Sequence, residues 1–369
     1  MLPSDTIPPM KVGIVGLPNV GKSTLFNALT RAGAEAQNYP FTTVDPNVGV
    51  AAVPDGRLQR LAEAVGGVRA VPATVEFVDI AGLVRGASRG EGLGNRFLAH
   101  IRECDAVAHV VRCFEDENVA HVHGGIDPVG DAETVNAELL LADLATVERR
   151  LEQASRAAKS GDPKRRAEAA ALERLRDHLA KGGQARTFPE PGEVSEVLRT
   201  LLTAKPTLYV ANVDEGSLAA GNAYSAAVEE LAGREGAGAV RLCARLAAEL
   251  AELPAEEARE YLGVLGVEES GFEEFVRAAY RLLGLITFFT FNERECRAWT
   301  VREGATAREA AGRIHTDMER GFVAAEVGRW EDIVAAGSWA RAREEAKVRR
   351  EGRDYVMRDG DVLLVRFNA

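Results

Sequence analysis

Residues 16–24 have the sequence Gly-Leu-Pro-Asn-Val-Gly-Lys-Ser-Thr, the most informative motif of the chain. It matches the pattern G-x-x-x-x-G-K-[ST], the phosphate-binding loop or P-loop. An apolar run over Lys11–Gly16 precedes it and a helical pattern over Ser23–Arg31 follows, which is the strand–loop–helix context that the motif requires. Glycines let backbone N–H groups converge on phosphate oxygens, and the helix presents its positive end to them. The sequence therefore predicts a site for the phosphates of a nucleotide.

The loop also supplies a cation and a metal ligand. The Lys22 ammonium is expected at the β- and γ-phosphates, and the Ser23 hydroxyl is expected to bind Mg²⁺. Six residues of the loop are predicted to bind the nucleotide: Asn19, Val20, Gly21, Lys22, Ser23 and Thr24.

Two further segments are predicted to complete the metal and γ-phosphate site. The sequence DIAG at residues 79–82 ends an apolar strand pattern. Asp79 can hold Mg²⁺ through water there, and the Gly82 N–H can meet the γ-phosphate. The segment between the first helix and the second strand supplies Thr43 as the third metal ligand, with Thr42 as an open alternative.

The base is expected to bind after a later strand. Guanine-specific P-loop proteins carry Asn-Lys-x-Asp there, and the Asp accepts hydrogen bonds from guanine N1–H and the 2-amino group. Residues 212–215 are NVDE instead, so the Lys is missing, the fourth residue is Glu, and Asp214 is one position too early. A site without the guanine-reading Asp loses its main reason to exclude ATP. The predicted base contacts are Asn212, Val213, Glu215 and the backbone N–H of Ala244.

Catalysis is assigned to Lys22, Gly82 and His121. Many switch GTPases place a Gln after the D-x-x-G glycine, but here Leu83 follows Gly82. Leu cannot hydrogen-bond the attacking water, so slow intrinsic turnover is expected. A neutral imidazole could orient or deprotonate that water, which makes His121 the candidate and His123 its competitor.

Short apolar runs alternate with helical patterns over residues 10–135 and again over 204–284. Strands that alternate with helices predict an α/β fold with a mostly parallel sheet. The predicted strands are Lys11–Gly16, Thr74–Ile80, Ala106–Val111, Thr207–Asn212 and Ala239–Cys243. Both ranges are assigned to one P-loop nucleotide-binding domain, interrupted by residues 136–203.

Residues 136–203 are predicted to be an inserted antiparallel coiled-coil arm. Apolar residues recur every three or four positions over 140–158, Gly-Asp-Pro at 161–163 breaks the helix, and a helical stripe resumes over 172–179. Between residues 145 and 186 there are 11 basic and 6 acidic residues. This excess of positive charge fits either a solvated helical face or a tip that contacts RNA.

Residues 285–369 are predicted to be a small α+β module. Its predicted strands are Leu285–Phe291, Glu295–Val301, Asp354–Met357 and Val362–Phe367, and its predicted helix is Ala307–Arg320. The module holds 15 basic and 15 acidic residues. Its segment 341–358 has seven basic and four acidic residues, which fits either an rRNA contact or a solvated helix.

Composition limits the class of protein. The 369 residues are 46% hydrophobic and carry a net charge of -11, which supports a globular core and argues against a general nucleic-acid coat. The four cysteines form no C-x-x-C pair, so reduced thiols are expected. The start of the chain lacks the features of a signal peptide, and no stretch is apolar enough to span a bilayer. A soluble, cytoplasmic protein is expected, with no membrane partner.

These motifs resemble the YchF subfamily of Obg-like P-loop NTPases. The resemblance rests on Gly16–Thr24, Asn38–Gly49, Asp79–Asn95 and Asn212–Glu215, and the segment Thr287–Asn368 is similar to that family's ubiquitin-like TGS module. It implies preference for ATP over GTP, dependence on Mg²⁺, and association with the ribosome and its subunits, with rRNA contacted through the arm or the TGS module. A monomer is expected.

The resemblance adds two details and one departure. In some related NTPases an Asn at the position of Asn19 helps to hold K⁺ beside the phosphates, so K⁺ is expected to stimulate turnover. His121 aligns with a His of the family pattern. Relatives tend to carry Ser-Ala-Lys after the last base-contacting strand, whereas residues 243–245 are Cys-Ala-Arg.

Three functions fit these residues. The first is a regulatory ATPase that reports its nucleotide state to the ribosome. The second is a GTP-dependent ribosome factor of the wider Obg class. The third is a nucleotide-gated binding protein in which hydrolysis is incidental.

Overall fold

The computed structural model describes residues 10–36, 47–80, 93–116 and 125–368. These residues form two compact units. The larger unit contains residues 11–50 and 76–282, and the smaller unit contains residues 51–75 and 283–368.

The strands and helices of the described residues are numbered in chain order. The strands are β1 Lys11–Val15, β2 Val48–Ala52, β3 Arg69–Val71, β4 Thr74–Asp79, β5 Ala106–Arg112, β6 Thr207–Asn212, β7 Gly238–Leu242, β8 Leu285–Phe291, β9 Glu295–Arg302, β10 Phe322–Arg329, β11 Arg349–Glu351 and β12 Asp361–Phe367. The helices are α1 Lys22–Ala36, α2 Gly56–Ala64, α3 Leu93–Glu103, α4 Pro128–Ala158, α5 Pro163–Ala180, α6 Ser195–Leu198, α7 Ala223–Arg234, α8 Ala244–Leu250, α9 Ala255–Val264, α10 Phe272–Leu282, α11 Ala307–Ile314, α12 Thr316–Arg320, α13 Trp330–Ala336 and α14 Trp339–Glu344. Among the described helices, none is both long and apolar enough to cross a bilayer.

The larger unit is built on a sheet of order β2-β4-β1-β5-β6-β7. The pairings from β4 through β7 are all parallel. Strands β5 and β6 are buried along their whole length, which explains their continuous apolar sequences. The five predicted strands of this sheet are confirmed to within one residue at each end. In a parallel sheet the carboxyl ends of the strands share one edge, so the segments after β1, β5, β6 and β7 come together there.

The two arm helices are confirmed. Helix α4 begins at Pro128, eight residues before the predicted start of the arm, and it is followed by α5 after a four-residue connection (residues 159–162). So short a connection makes the helices antiparallel. Buried Val147 and Ala154 of α4 share one apolar cluster with the leucine stripe of α5. The apolar seam predicted from the spacing therefore forms the arm's own core.

A buried polar cluster ties the root of the arm to the sheet. The Asn136 amide on α4 donates to the Tyr209 hydroxyl on β6 at 2.7 Å and to Glu235 at 3.0 Å. The Tyr209 hydroxyl donates to the same carboxylate at 2.7 Å, and Arg186 pairs with it at 2.6 Å. Because each buried polar group here has a partner, the cluster fixes the arm on the sheet without an unpaired charge.

His109 of β5 is a buried histidine that should make stability depend on pH. Its side chain is stacked on Tyr209, with ring centroids 5.1 Å apart. Burial, with a smaller contribution from Arg186, lowers the pKa of His109 to about 3. The unfolded chain takes up a proton below about pH 6.5 that the folded chain does not, so the free energy of unfolding falls as the pH falls. We expect this residue to lower the free energy of unfolding by about 2 kcal/mol between pH 7 and pH 5.

Urea denaturation at pH 7 and pH 5 measures this effect. The variant His109→Gln cannot take up the proton, so its stability should change less between the two pH values than that of the parent protein. Equal changes in parent and variant would show that His109 does not contribute to the pH dependence.

The smaller unit is a sheet of order β11-β10-β12-β8-β9-β3. It includes residues 51–75, which the sequence analysis places in the nucleotide-binding domain. Strand β3 pairs in parallel with β9. Arg57 of α2 donates to Asp55 at 2.8 Å and to Asp359 at 2.6 Å, and its guanidinium lies over the Phe289 ring at 5.6 Å. Residues 51–75 join this unit because their partners are far away in sequence, where local patterns give no signal.

Two predictions for the smaller unit are wrong. The helix predicted over Ala307–Arg320 is interrupted at His315, whose backbone is extended and whose ring accepts the Asp317 N–H at 3.1 Å, capping α12. The strand predicted over Asp354–Met357 does not form. There the chain wraps around the fully buried Asp361, which accepts hydrogen bonds from the Tyr355 hydroxyl and the Arg358 N–H, both at 2.9 Å.

All four cysteines are free, as predicted, and the structure shows that all four are buried. Burial raises the pKa of the Cys104 thiol to about 11 and that of the Cys113 and Cys296 thiols to about 12. It also raises the pKa of Cys243. The thiols are therefore neutral near pH 7 and poor nucleophiles.

Candidate nucleotide site

The P-loop connects β1 to α1 through backbone conformations that its sequence permits. Gly16 has φ +155° and Gly21 has φ +94°, both accessible to glycine. Asn19 has φ +63°, and asparagine tolerates this left-handed region better than most residues do. A side chain at Gly21 would lie 2.1 Å from the Asn212 amide nitrogen. The glycine is thus required by its dihedral angle and by its close neighbour.

The structure brings Lys22 and Asp79 together, as both predicted roles require. Lys22 is 9% exposed and begins α1. Its ammonium lies 3.6 Å from Asp79 Oδ1 and donates to the Ile80 carbonyl at 3.4 Å. An ammonium at this depth needs an anionic partner. The contact keeps both charges compensated at the place where the phosphates are expected.

The donor set around Asp79 fits Mg²⁺. The Asp79 Oδ1 atom is buried and accepts no hydrogen bond from the part of the chain that the structure describes. Ser23 offers an exposed hydroxyl one residue after Lys22. The described residues contain no group of three or more His, Cys, Asp or Glu side chains that could hold a metal by themselves. Mg²⁺ usually takes only one or two carboxylates and completes its shell with phosphate oxygens and water, which suits this sparse set.

The Asn212 side chain links three segments, namely the end of β6, the P-loop and the start of α8. It is 4% exposed at the end of β6. Its amide donates to the Val20 carbonyl of the P-loop at 2.8 Å, and its side-chain oxygen accepts the Ala244 N–H at 2.9 Å. Asn212 therefore holds the P-loop against the start of α8. The Ala244 N–H, predicted to reach the base, is already engaged by Asn212, so a base contact there would compete with this bond.

A cleft of about 460 Å³ lies beside the P-loop. It is lined by the predicted residues Asn19, Gly21, Thr24, Asn212, Val213, Glu215 and Ala244, together with Phe114, Glu115, Asp116, Asp214, Cys243 and Arg245. The sequence analysis missed Phe114–Asp116. They follow the buried strand β5, and the shared edge of a parallel sheet is the signal that could have found them.

Three predicted site residues, Thr43, Gly82 and His121, lie outside the described residues. The same holds for Leu83 and for the alternatives Thr42 and His123. Their roles stay predictions.

A nucleotide whose phosphates lay on the loop would have its base at the adjacent cleft, so the larger unit is a nucleotide-binding domain of the P-loop class. Two family models match the chain. The family described as a 50S ribosome-binding GTPase matches residues 11–140. The YchF GTPase carboxy-terminal family, described as a protein of unknown function, matches residues 285–368. With the relatives below, these matches show that the chain belongs to the YchF family.

Two curated relatives are similar over nearly their whole length, and both are named ribosome-binding ATPase YchF. The Bacillus subtilis (strain 168) protein is 51% identical over 364 residues, which cover 98% of this chain and 100% of that protein. The Escherichia coli O157:H7 protein is 51% identical over 361 residues, which cover 97% and 99%.

Solved structures agree on the fold. A Schizosaccharomyces pombe structure described as the YchF GTPase superposes with a TM-score of 0.86 at 35% identity, covering 99% of this chain and all of that one. A GTP-binding protein from Pyrococcus horikoshii OT3 reaches a TM-score of 0.58 at 21% identity, covering 97% and 100%, which supports the fold alone. The two curated relatives are named ATPases, whereas the two solved structures are described as a GTPase and a GTP-binding protein.

Proposed function

We propose that this protein is a ribosome-associated regulatory ATPase that binds ATP and hydrolyses it slowly to ADP and phosphate. The observation that carries the choice of base is Glu215 at the fourth position of NVDE, in the cleft beside the P-loop. Guanine recognition depends on a carboxylate placed for two donors, and the shorter Asp that usually does this is absent. The names of the Bacillus subtilis and Escherichia coli relatives support the same choice.

The reaction is in-line attack of water on the γ-phosphate. Catalysis of this kind depends on positioning and on charge stabilisation rather than on covalent chemistry. The Lys22 ammonium exchanges its contact with Asp79 for the phosphate oxygens and stabilises the charge that develops there. Asp79 would then be able to hold Mg²⁺ through water. Asn212 keeps the loop in place through the Val20 carbonyl while the ammonium changes partners.

Three elements complete the proposed machinery. Mg²⁺, held by Ser23, Asp79 and Thr43, would neutralise charge on the phosphates. His121 would orient the attacking water, and the Gly82 N–H would bind the γ-phosphate. A K⁺ ion beside Asn19 belongs to the same proposal, and turnover should be faster in K⁺ than in Na⁺ at equal ionic strength.

The ribosome is the proposed partner, with rRNA contacted through the arm or the carboxy-terminal module. The charges at the turn between α4 and α5 favour an rRNA contact through the arm. Five basic side chains are exposed there, namely Arg156, Lys159, Lys164, Arg165 and Arg166. Such clusters bind phosphate backbones without reading sequence. A cytoplasmic location and a monomeric state are part of the proposal, as is the division into a nucleotide-binding domain, an arm and a TGS module.

Titration of nucleotide-free protein with ATP and with GTP, each with Mg²⁺, tests the choice of base. We expect ATP to bind at least about tenfold more tightly, because the polar groups of guanine would be left without their usual partner. Tighter binding of GTP would overturn the proposal and move the chain to the GTP-dependent ribosome factors.

A further inference from the structure

Arg245 holds the acid at the fourth position of NVDE. Its guanidinium donates to Glu215 Oε1 at 2.9 Å, and both side chains line the base cleft. The Glu215 side chain is 24% exposed and that of Arg245 is 71% exposed, so the pair lies at the mouth of the cleft. Glu249 lies 3.8 Å from Arg245 on the same helix, and it adds to the negative charge that faces the guanidinium.

The neighbouring acid, Asp214, caps a turn of the chain. The Asp214 carboxylate accepts the Ser217 N–H at 2.9 Å and caps the short helical turn that begins at Glu215. The two acids of NVDE therefore differ in their partners, since Asp214 accepts a backbone N–H and Glu215 accepts the Arg245 guanidinium.

The ion pair changes what Glu215 can offer to each base. Guanine presents two donors, N1–H and the 2-amino group, and a free carboxylate would accept both. Adenine presents a lone pair at N1, which a free carboxylate would repel. A guanidinium bound to Glu215 occupies one of its oxygens and compensates its charge, so the cleft attracts guanine less and repels adenine less.

We propose that Arg245 is a positioning residue that sets base specificity by holding Glu215 away from the donors of guanine. The proposal rests on the function proposed above, since it explains how a cleft that still contains an acid accepts ATP. It also gives a role to Arg245 at the start of α8, which the sequence analysis left without one.

The affinities of Arg245→Ala for ATP and GTP test the proposal. Release of Glu215 should tighten GTP binding about tenfold, the lower end of the range for one good carboxylate-to-base pairing. ATP binding should stay the same or weaken. The variant should fold normally, because exposed ion pairs contribute little to stability.

Two further variants separate this role from a general structural one. In the double variant Arg245→Ala with Glu215→Ala, the gain in GTP affinity should disappear, because the carboxylate that causes it is gone. Arg245→Lys keeps a cation and should keep the parent ratio of ATP to GTP affinity. Arg174→Ala removes a comparable exposed pair, Arg174 with Glu190 at 3.0 Å on the arm side of the larger unit, and should leave the ratio unchanged.

An unchanged ratio in Arg245→Ala would overturn the proposal, and so would a gain that persists in the double variant. These results are distinct from failure of the proposed function, which would appear as tighter GTP binding by the parent protein itself.

Discussion

Replacement of Lys22 by alanine should lower kcat for ATP hydrolysis by about 10²–10³-fold, as expected when one preorganised group that stabilises transition-state charge is removed. The Lys22 ammonium is nearly buried and lies 3.6 Å from Asp79, so it is fixed before the substrate arrives. Its loss also leaves the Asp79 carboxylate without its compensating charge. Release of phosphate at saturating Mg²⁺ and ATP measures the effect.

Lys205→Ala is a matched control. The Lys205 ammonium is also partly buried in the larger unit, but it donates to the carbonyls of Arg102 and Cys104, and neither of these residues lines the base cleft. This control should keep kcat within about threefold of the parent value, far from the loss expected at an electrostatic catalytic group. A Lys22→Ala protein with comparable activity would show that the ammonium does not act in the reaction. The third function, a nucleotide-gated binding protein, predicts a different result. In that case Lys22→Ala would abolish the nucleotide-dependent change in partner binding, whereas a variant that only fails to hydrolyse ATP would keep it.

Gly21→Ala should weaken nucleotide binding by about 100-fold and destabilise the fold by about 1–3 kcal/mol. Two costs combine at this position. The backbone has φ +94°, which disfavours alanine. The new Cβ would also lie 2.1 Å from the Asn212 amide nitrogen, so the Asn212 side chain that is bonded to the P-loop must shift. Calorimetric titration with ATP and denaturation by urea measure the two effects.

Gly182→Ala separates the cost of the left-handed backbone from the cost of a close contact with Asn212. Gly182 has nearly the same dihedral angle, φ +89°, but a Cβ added at this position would have no neighbouring atom within 4 Å among the described residues. It should show only the cost of the left-handed backbone, about 1–2 kcal/mol, with normal nucleotide affinity. Equal nucleotide affinities in the two variants would mean that the contact between Gly21 and Asn212 does not shape the loop.

The phosphate site could be predicted from sequence because its parts are local. The P-loop, the strand before it and the helix after it lie within about thirty residues, and hydrophobic periodicity identifies such elements well. The strands of the parallel part of the sheet could be predicted for the same reason. Lys22 and Asp79 are distant in sequence, but their roles follow from motifs whose geometry is shared by P-loop proteins.

The remaining features depend on contacts that no local pattern contains. The sequence indicates Asn212 as a base-site residue, but not that both ends of its amide are bound to backbone groups of the P-loop and α8. The placement of α2 in the smaller unit depends on Asp359, 302 residues beyond Arg57. The break at His315 depends on one side chain that caps the next helix in an otherwise helical pattern.

The discontinuous smaller unit has a consequence for folding during synthesis. Leu58 and Leu61 of α2 are buried in the finished protein, yet the Asp359 partner of Arg57 is made 302 residues later. At about 5–20 residues per second, the nascent chain carries this amphipathic helix for about 15–60 s before the unit can close. Premature termination before Asp359 would therefore release a chain in which Arg57 lacks this partner.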